Sequence, residues 1–129
     1  MNKRIVIAGL MLIVLGIVFG AFGTHALKSH LSAEKLISFE TGVRYQMYHG
    51  LGMLMLGLNA DKIKKGLTRA FQLLLSGTIL FSGSIYLLSL QVFLGEGVRL
   101  LGPVTPLGGI LMIIGWLYLL VSIFNVPKR

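Results

Sequence analysis

The chain has 129 residues, 55% of them hydrophobic and only 12% charged, with a mean hydropathy of +0.86. A soluble domain carries about a quarter charged residues, so the composition excludes an ordinary water-soluble fold and indicates an integral membrane protein. The net charge of +8 would suggest nucleic acid in a soluble protein; the absence of cysteine removes disulfides, thiolate metal sites and thiol nucleophiles.

Ile5 to Phe22 is eighteen residues without a polar side chain, close to the ~20 that a helix needs to cross the hydrocarbon core. A first span over 5–24 follows. Met1 to Arg4 and the small-x-small triplet Ala21-Phe22-Gly23 have the look of a signal peptide, but the apolar run exceeds the usual h-region. The span is therefore expected to be retained. Ser32 to Asn59 holds a short apolar run, Met47 to Leu58, behind a half that carries Glu34, Lys35, Glu40 and Arg44. It is read as a second span over 39–59 with an amphipathic outer half; a re-entrant or interfacial segment is the alternative. Two further runs predict spans over 71–94 and 104–125, completing a single transmembrane domain over 1–129. The loop Gly95 to Pro103 is short, so the last two helices should be antiparallel neighbours. Pro103 and Pro106 sit where a helix start tolerates a missing N–H.

The loops orient these spans. On one side fall Lys3, Arg4, Lys62, Lys64, Lys65, Arg69, Lys128 and Arg129 against the single acid Asp61. On the other fall Lys28, Lys35, Arg44 and Arg99 against Glu34, Glu40 and Glu96. Because basic loops stay cytoplasmic, the expected fold is an all-α integral membrane four-helix bundle with both termini cytoplasmic, in the inner membrane of a bacterium. The basic cluster is then a topology signal with some attraction for anionic lipid, and nucleic-acid binding is not expected. Glycines at small-xxx-small spacing allow helices to approach closely in lipid. Gly16 and Gly20 of the first span, with Gly83 and Gly109 of the third and fourth, are the packing candidates. Packing within one bundle and a homo-oligomer interface both satisfy that pattern.

Four blocks of the sequence are familiar: Ala21-Phe22-Gly23-Thr24-His25-Ala26-Leu27, then Phe39 to His49, Leu80 to Tyr86, and Leu101 to Gly109. They resemble the small bacterial inner-membrane family of unknown function that includes YgdD and YwdK. Thr24 stands where the commoner form of the first block has alanine. The resemblance covers nearly the whole chain and implies four transmembrane helices and an uncleaved first span. It implies no known activity.

One constellation could carry chemistry. At 100° per residue, Glu40, Thr41, Arg44, Tyr45, Tyr48 and His49 fall on one half of the second span, and Leu36, Phe39, Val43, Met47, Gly50 and Leu54 on the other. Glu40 and Arg44 are spaced to pair, and Arg44 lies near enough to the outer boundary to snorkel. His49 lies near the midplane, where an ionisable group is costly and needs partners. Ser82 and Tyr86 are expected to supply them for His49 and Tyr48, with His25 and Thr105 ringing the outer mouth. Two readings stand: a polar pocket in which Arg44 grips an anionic group such as a lipid phosphate, or an internal hydrogen-bond network that fixes helix register around a neutral His49.

No metal site is expected, because His25 and His30 share no helix face and no Glu-x-x-His pattern occurs. No nucleophile elbow or phosphate loop is present either. Trp116, mid-span, is expected to pack against a neighbouring helix. The functional expectation is a non-enzymatic, cofactor-free membrane protein that binds lipid or a partner's transmembrane helices through the polar outer face of span two. The alternative is a small transporter or channel subunit acting as a homo-oligomer.

Overall fold

A computed structural model describes residues 1–63 and 65–125. Lys64, Lys128 and Arg129, which contribute to the charge asymmetry, lie outside the described residues. Helix α1 (Lys3–Phe22) is capped by Asn2, whose Oδ1 accepts from the Ile5 N–H, and runs on into a π-helical turn, Gly23–Leu27. Helix α2 (Ala33–Leu58) opens with Ser32 as its cap, the Ser32 Oγ accepting from the Lys35 N–H. Helix α3 (Leu67–Ser89) is followed by the single-turn helix α4 (Gln91–Leu94) and a 3-10 turn, Glu96–Leu101. Helix α5 (Val104–Phe124) has Pro103 at its cap position. No strand occurs among the described residues.

Three of these stretches, Lys3–Leu27, Leu67–Ser89 and Glu96–Phe124, are long and apolar enough to cross a membrane. Helix α2 has the length, at 26 residues or about 39 Å, but its N-terminal half carries the four charges already named. The third helix starts four residues before the expected position and stops at Ser89, where Leu90 leaves helical geometry. The residues up to Leu94 form α4 instead.

The helices pair as two antiparallel hairpins, α1 with α2 and α3 with α5, joined face to face through α2 and α3. At one end the Asn2 N–H donates to the Gly57 carbonyl (2.8 Å) and the N-terminal ammonium pairs with Asp61. At the other end Gly23 lies against Phe39. The α1–α2 hairpin is drawn together at Gly9, where a Cβ would stand 2.7 Å from the Leu54 nitrogen and 2.8 Å from the Gly50 carbonyl. The α3–α5 hairpin closes at Gly108, where a Cβ would collide with the Phe81 nitrogen and lie 2.8 Å from the Gly77 carbonyl. Gly66 starts α3 at φ +79°, a left-handed conformation that glycine adopts without cost.

Of the glycines singled out from spacing, Gly16 makes a close contact, where a Cβ would stand 2.6 Å from Met47 Sδ, and the other three are looser. Gly16 is buried against the Met47 side chain, while Gly20 and Gly109 make ordinary contacts with Val43 and Phe81. Gly83 has nothing within 4 Å of its added Cβ, so it closes no helix pair. Spacing identifies small residues on one face but not how closely the neighbour passes. Ile5, Met53, Leu67 and Leu74 form the buried apolar core in the half nearer the N-terminus. The other half is filled differently.

Candidate functional site

The polar half of α2 does not face inward as a unit. Glu40, Arg44, Tyr45 and Tyr48 are exposed, Tyr48 to 60%. Arg44 donates to the Thr41 hydroxyl (3.0 Å); the ion pairs among the described residues are Met1–Asp61 and Glu96–Arg99, so the i, i+4 pair of Glu40 and Arg44 is not formed. An exposed guanidinium gains little from a neighbouring exposed carboxylate. Arg44 and Glu40 border a recess of about 270 Å³ with Gly20, Thr24 and Val43. His25 is exposed on the π-helical turn.

His49 is buried, with partners other than those expected. The Trp116 indole N–H, which can only donate, lies 3.2 Å from His49 Nε2. That nitrogen must therefore accept, which puts the ring proton on Nδ1, 2.8 Å from the Tyr45 carbonyl that receives it. Both ring nitrogens are satisfied by the neutral tautomer. Tyr45 packs against Phe81 of α3 at 4.8 Å and His49 against Trp116 of α5 at 6.0 Å between ring centroids, so aromatic rings line this side of α2 towards both helices.

The bond that ties most helices together involves Gln46, a residue the sequence reading did not single out. Its amide nitrogen donates to the Leu12 carbonyl of α1 (2.8 Å), and its Oε1 accepts from the Tyr86 hydroxyl of α3 (2.6 Å). Four residues earlier Ser82 Oγ donates to the Gly42 carbonyl (2.7 Å). Ser84 and Thr105 share a 2.6 Å hydrogen bond between α3 and α5. Tyr86 and Ser82 thus do bond across to α2, to Gln46 and Gly42 instead of to Tyr48 and His49. A signal for Gln46 exists in the sequence. Gly42, Gln46, Gly50, Met53 and Gly57 recur every three or four residues, and all are buried, which marks the face that neighbours approach.

Between α1 and α3 the half of the bundle farther from the N-terminus is open. A cavity of about 500 Å³ lies there, with Leu12, Leu15, Phe19 and Phe22 of α1 as one wall. Ile79, Gly83 and Leu87 of α3, with Leu90 just past its end, form the other, and Phe39 and Gln46 of α2 the floor. The floor's polar atoms are taken up by the Leu12–Gln46–Tyr86 chain, so the walls offer hydrocarbon almost alone. Gly83, which closes no helix pair, is what leaves this side of α3 open. Among the described residues no three His, Asp or Glu side chains come together as a metal would need.

A helical body with three membrane-length apolar stretches and inward polar groups satisfied by neighbouring helices is a multi-pass membrane protein. The chain belongs to the family described as protein of unknown function (DUF423), which matches residues 19–109. It is 39% identical over 123 residues to the UPF0382 membrane protein SH2409 of Staphylococcus haemolyticus, covering 95% of this chain and 97% of that one. It is 41% identical over 120 residues to SERP0230 of Staphylococcus epidermidis (93% and 94% covered) and 38% identical over 122 residues to YwdK of Bacillus subtilis (93% and 95%). Both of these are likewise named UPF0382 membrane proteins. No solved structure matches the chain.

Proposed function

We propose that this is a four-span protein of the bacterial inner membrane, both termini cytoplasmic, which acts without catalysis by holding the acyl chain of a lipid between α1 and α3. The observation that carries this reading is the groove of about 500 Å³ with apolar walls. Helix α2 is counted as a span because it runs beside α1 from the Asn2–Gly57 bond to the Gly23–Phe39 contact. Any membrane crossed by α1 is then crossed by α2.

The groove has the dimensions of one leaflet. From Leu12 to Phe22 is ten residues of helix, about 15 Å, half the ~30 Å of hydrocarbon in a bilayer. A single hydrocarbon chain is narrow enough to lie along the groove. The polar face of α2 around Arg44 borders the smaller recess, and Phe39 lines both that recess and the groove. A pathway through the bundle is less well supported, because the one deep ionisable side chain, His49, spends both ring nitrogens on Trp116 and Tyr45.

The test is lipid retention. Protein purified in mild detergent and examined by native mass spectrometry is expected to carry bound lipid, and Gly83→Leu is expected to lose most of it. Because a Cβ at Gly83 meets open space, that change fills the groove without straining the helices, and the melting temperature should hold. Equal lipid content in the parent and in Gly83→Leu overturns the proposal.

A further inference from the structure

The outer mouth of the groove is not apolar. Beyond Leu90 and Phe39 lies a second cavity of about 460 Å³, bordered by His30, Ser32, Lys35, Ser89, Gln91 and Glu96. Lys35 stands one helical turn from Phe39 on α2, and Ser89 directly precedes Leu90, so residues that line the second cavity neighbour residues that line the groove. We infer that this second cavity binds the acidic headgroup, phosphate or carboxylate, of the lipid whose chain occupies the groove; the inference rests on the groove reading.

Three observations support it. Ser89 is only 2% exposed, yet its Oγ has no hydrogen-bond partner among the described residues. Serine at a helix end normally satisfies its hydroxyl on the preceding turn, and a buried hydroxyl left unpaired is costly. Ser89 lines the cavity, and a turn of its side chain towards an acceptor there would complete it. Lys35 is the cation beside it. Its Nζ donates to the Leu88 carbonyl at the end of α3 (3.2 Å), which spends one of three donors. Neither ion pair among the described residues involves Lys35. The one carboxylate on the cavity wall, Glu96, is committed elsewhere, accepting from Gln91 Nε2 (2.9 Å) and pairing with Arg99 Nε (2.8 Å).

The remaining geometry suits an anion held at the interface. Helix α2 begins here, with Ser32 as its cap, so the positive end of its dipole borders the cavity. The Lys35 ammonium offsets the opposite polarity of the α3 C-terminus. An acidic headgroup would thus receive two N–H donors from Lys35 and one O–H from Ser89 while its chain descends past Phe39 into the groove.

The test compares binding of phosphatidylglycerol, which is anionic, with phosphatidylcholine, which is zwitterionic, to the full chain in detergent, read by native mass spectrometry. The parent is expected to prefer phosphatidylglycerol by about fivefold, which is ~1 kcal/mol at 1.4 kcal/mol per decade, the attraction of one near-surface lysine for anionic lipid. Lys35→Gln should abolish the preference while phosphatidylcholine still binds, and Lys35→Arg should keep it. Ser89→Ala, which leaves the Lys35 cap on α3 intact, should weaken it by about half. Gly83→Leu should lower binding of both lipids. No preference in the parent, or one that survives both Lys35→Gln and Ser89→Ala, overturns the headgroup site while leaving the groove standing. Failure of either lipid to bind the parent overturns the groove itself. Excess inorganic phosphate should leave the preference intact; its loss would assign the cavity to a free anion and overturn the headgroup inference.

Discussion

Tyr86→Phe removes one oxygen and leaves the Gln46 Oε1 acceptor buried between three helices. Interhelical hydrogen bonds in membranes average about 0.6 kcal/mol and reach about 1.7. Tyr86→Phe and Trp116→Phe, which strips the donor from His49 Nε2, are each expected to lower unfolding free energy within that range. Tyr48→Phe, at an exposed side chain, should change nothing measurable. Denaturant unfolding in detergent micelles checks the set, and a Tyr48→Phe loss as large as the other two would contradict the inward roles given to Tyr86 and Trp116. These residues also mark the limit of legibility in the sequence. A helical wheel separates Glu40, Arg44 and Tyr48 from Phe39 and Val43 correctly, but polarity does not say which half faces protein. In lipid the end turns of a span can point polar side chains at headgroups, and Glu40 and Arg44 are exposed here. The inward polar atoms then come from Gln46 and His49 at the border of the glycine-lined face. His49 was legible as a group needing partners; its partner Trp116 was not, because α5 residues far apart in sequence can be ranked by depth but not by facing.

At the scale of elements, the helices were legible because apolar runs of spanning length have few other solutions. Their ends followed less well. Nothing apolar marks the stop of α3 at Ser89, since Leu90 to Leu94 continues the hydrophobic run and only the change of direction into α4 ends the helix. Helix crossings depend on which glycine meets backbone. Gly108→Leu places a branched side chain where even a Cβ collides with the Phe81 nitrogen, and the backbones of α3 and α5 must separate. Overpacking of this kind costs about 1–3 kcal/mol, or more where backbone is the obstacle. Gly109→Ala, one position on and 3.7 Å from the Phe81 ring, should stay within ~0.5 kcal/mol. A thermal-shift comparison that ranks Gly109→Ala as the more damaging of the two would reverse the crossing described for α3 and α5.

Over the whole molecule, the net charge of +8 first suggests nucleic acid, and its distribution along the fold turns it into a statement about orientation. Lys62, Lys65 and Arg69 lie around the α2–α3 connection, at the end of the bundle that also holds Lys3, Arg4 and the Met1–Asp61 pair. Arg99 and the α1–α2 connection lie at the opposite end. In the orientation proposed above, with basic residues retained in the cytoplasm, the first end is inside and the mouth of the groove, with Lys35 and Ser89, is in the outer leaflet. The chain contains no cysteine, so single introduced cysteines report on sidedness without background. In intact bacterial cells a membrane-impermeant maleimide is expected to label Ser29→Cys and Arg99→Cys, and to label Lys65→Cys only after permeabilisation. Labelling of Lys65→Cys in intact cells, with Arg99→Cys protected, would invert the bundle and move the lipid groove to the cytoplasmic leaflet. Labelling of Ser29→Cys and Lys65→Cys from the same side would make α2 re-entrant. The antiparallel contacts of α2 with α1 over its length, from Gly57 beside Asn2 to Phe39 beside Gly23, argue against that outcome. A re-entrant α2 would have to abandon half of those contacts and leave the Gln46–Leu12 hydrogen bond unmade inside lipid.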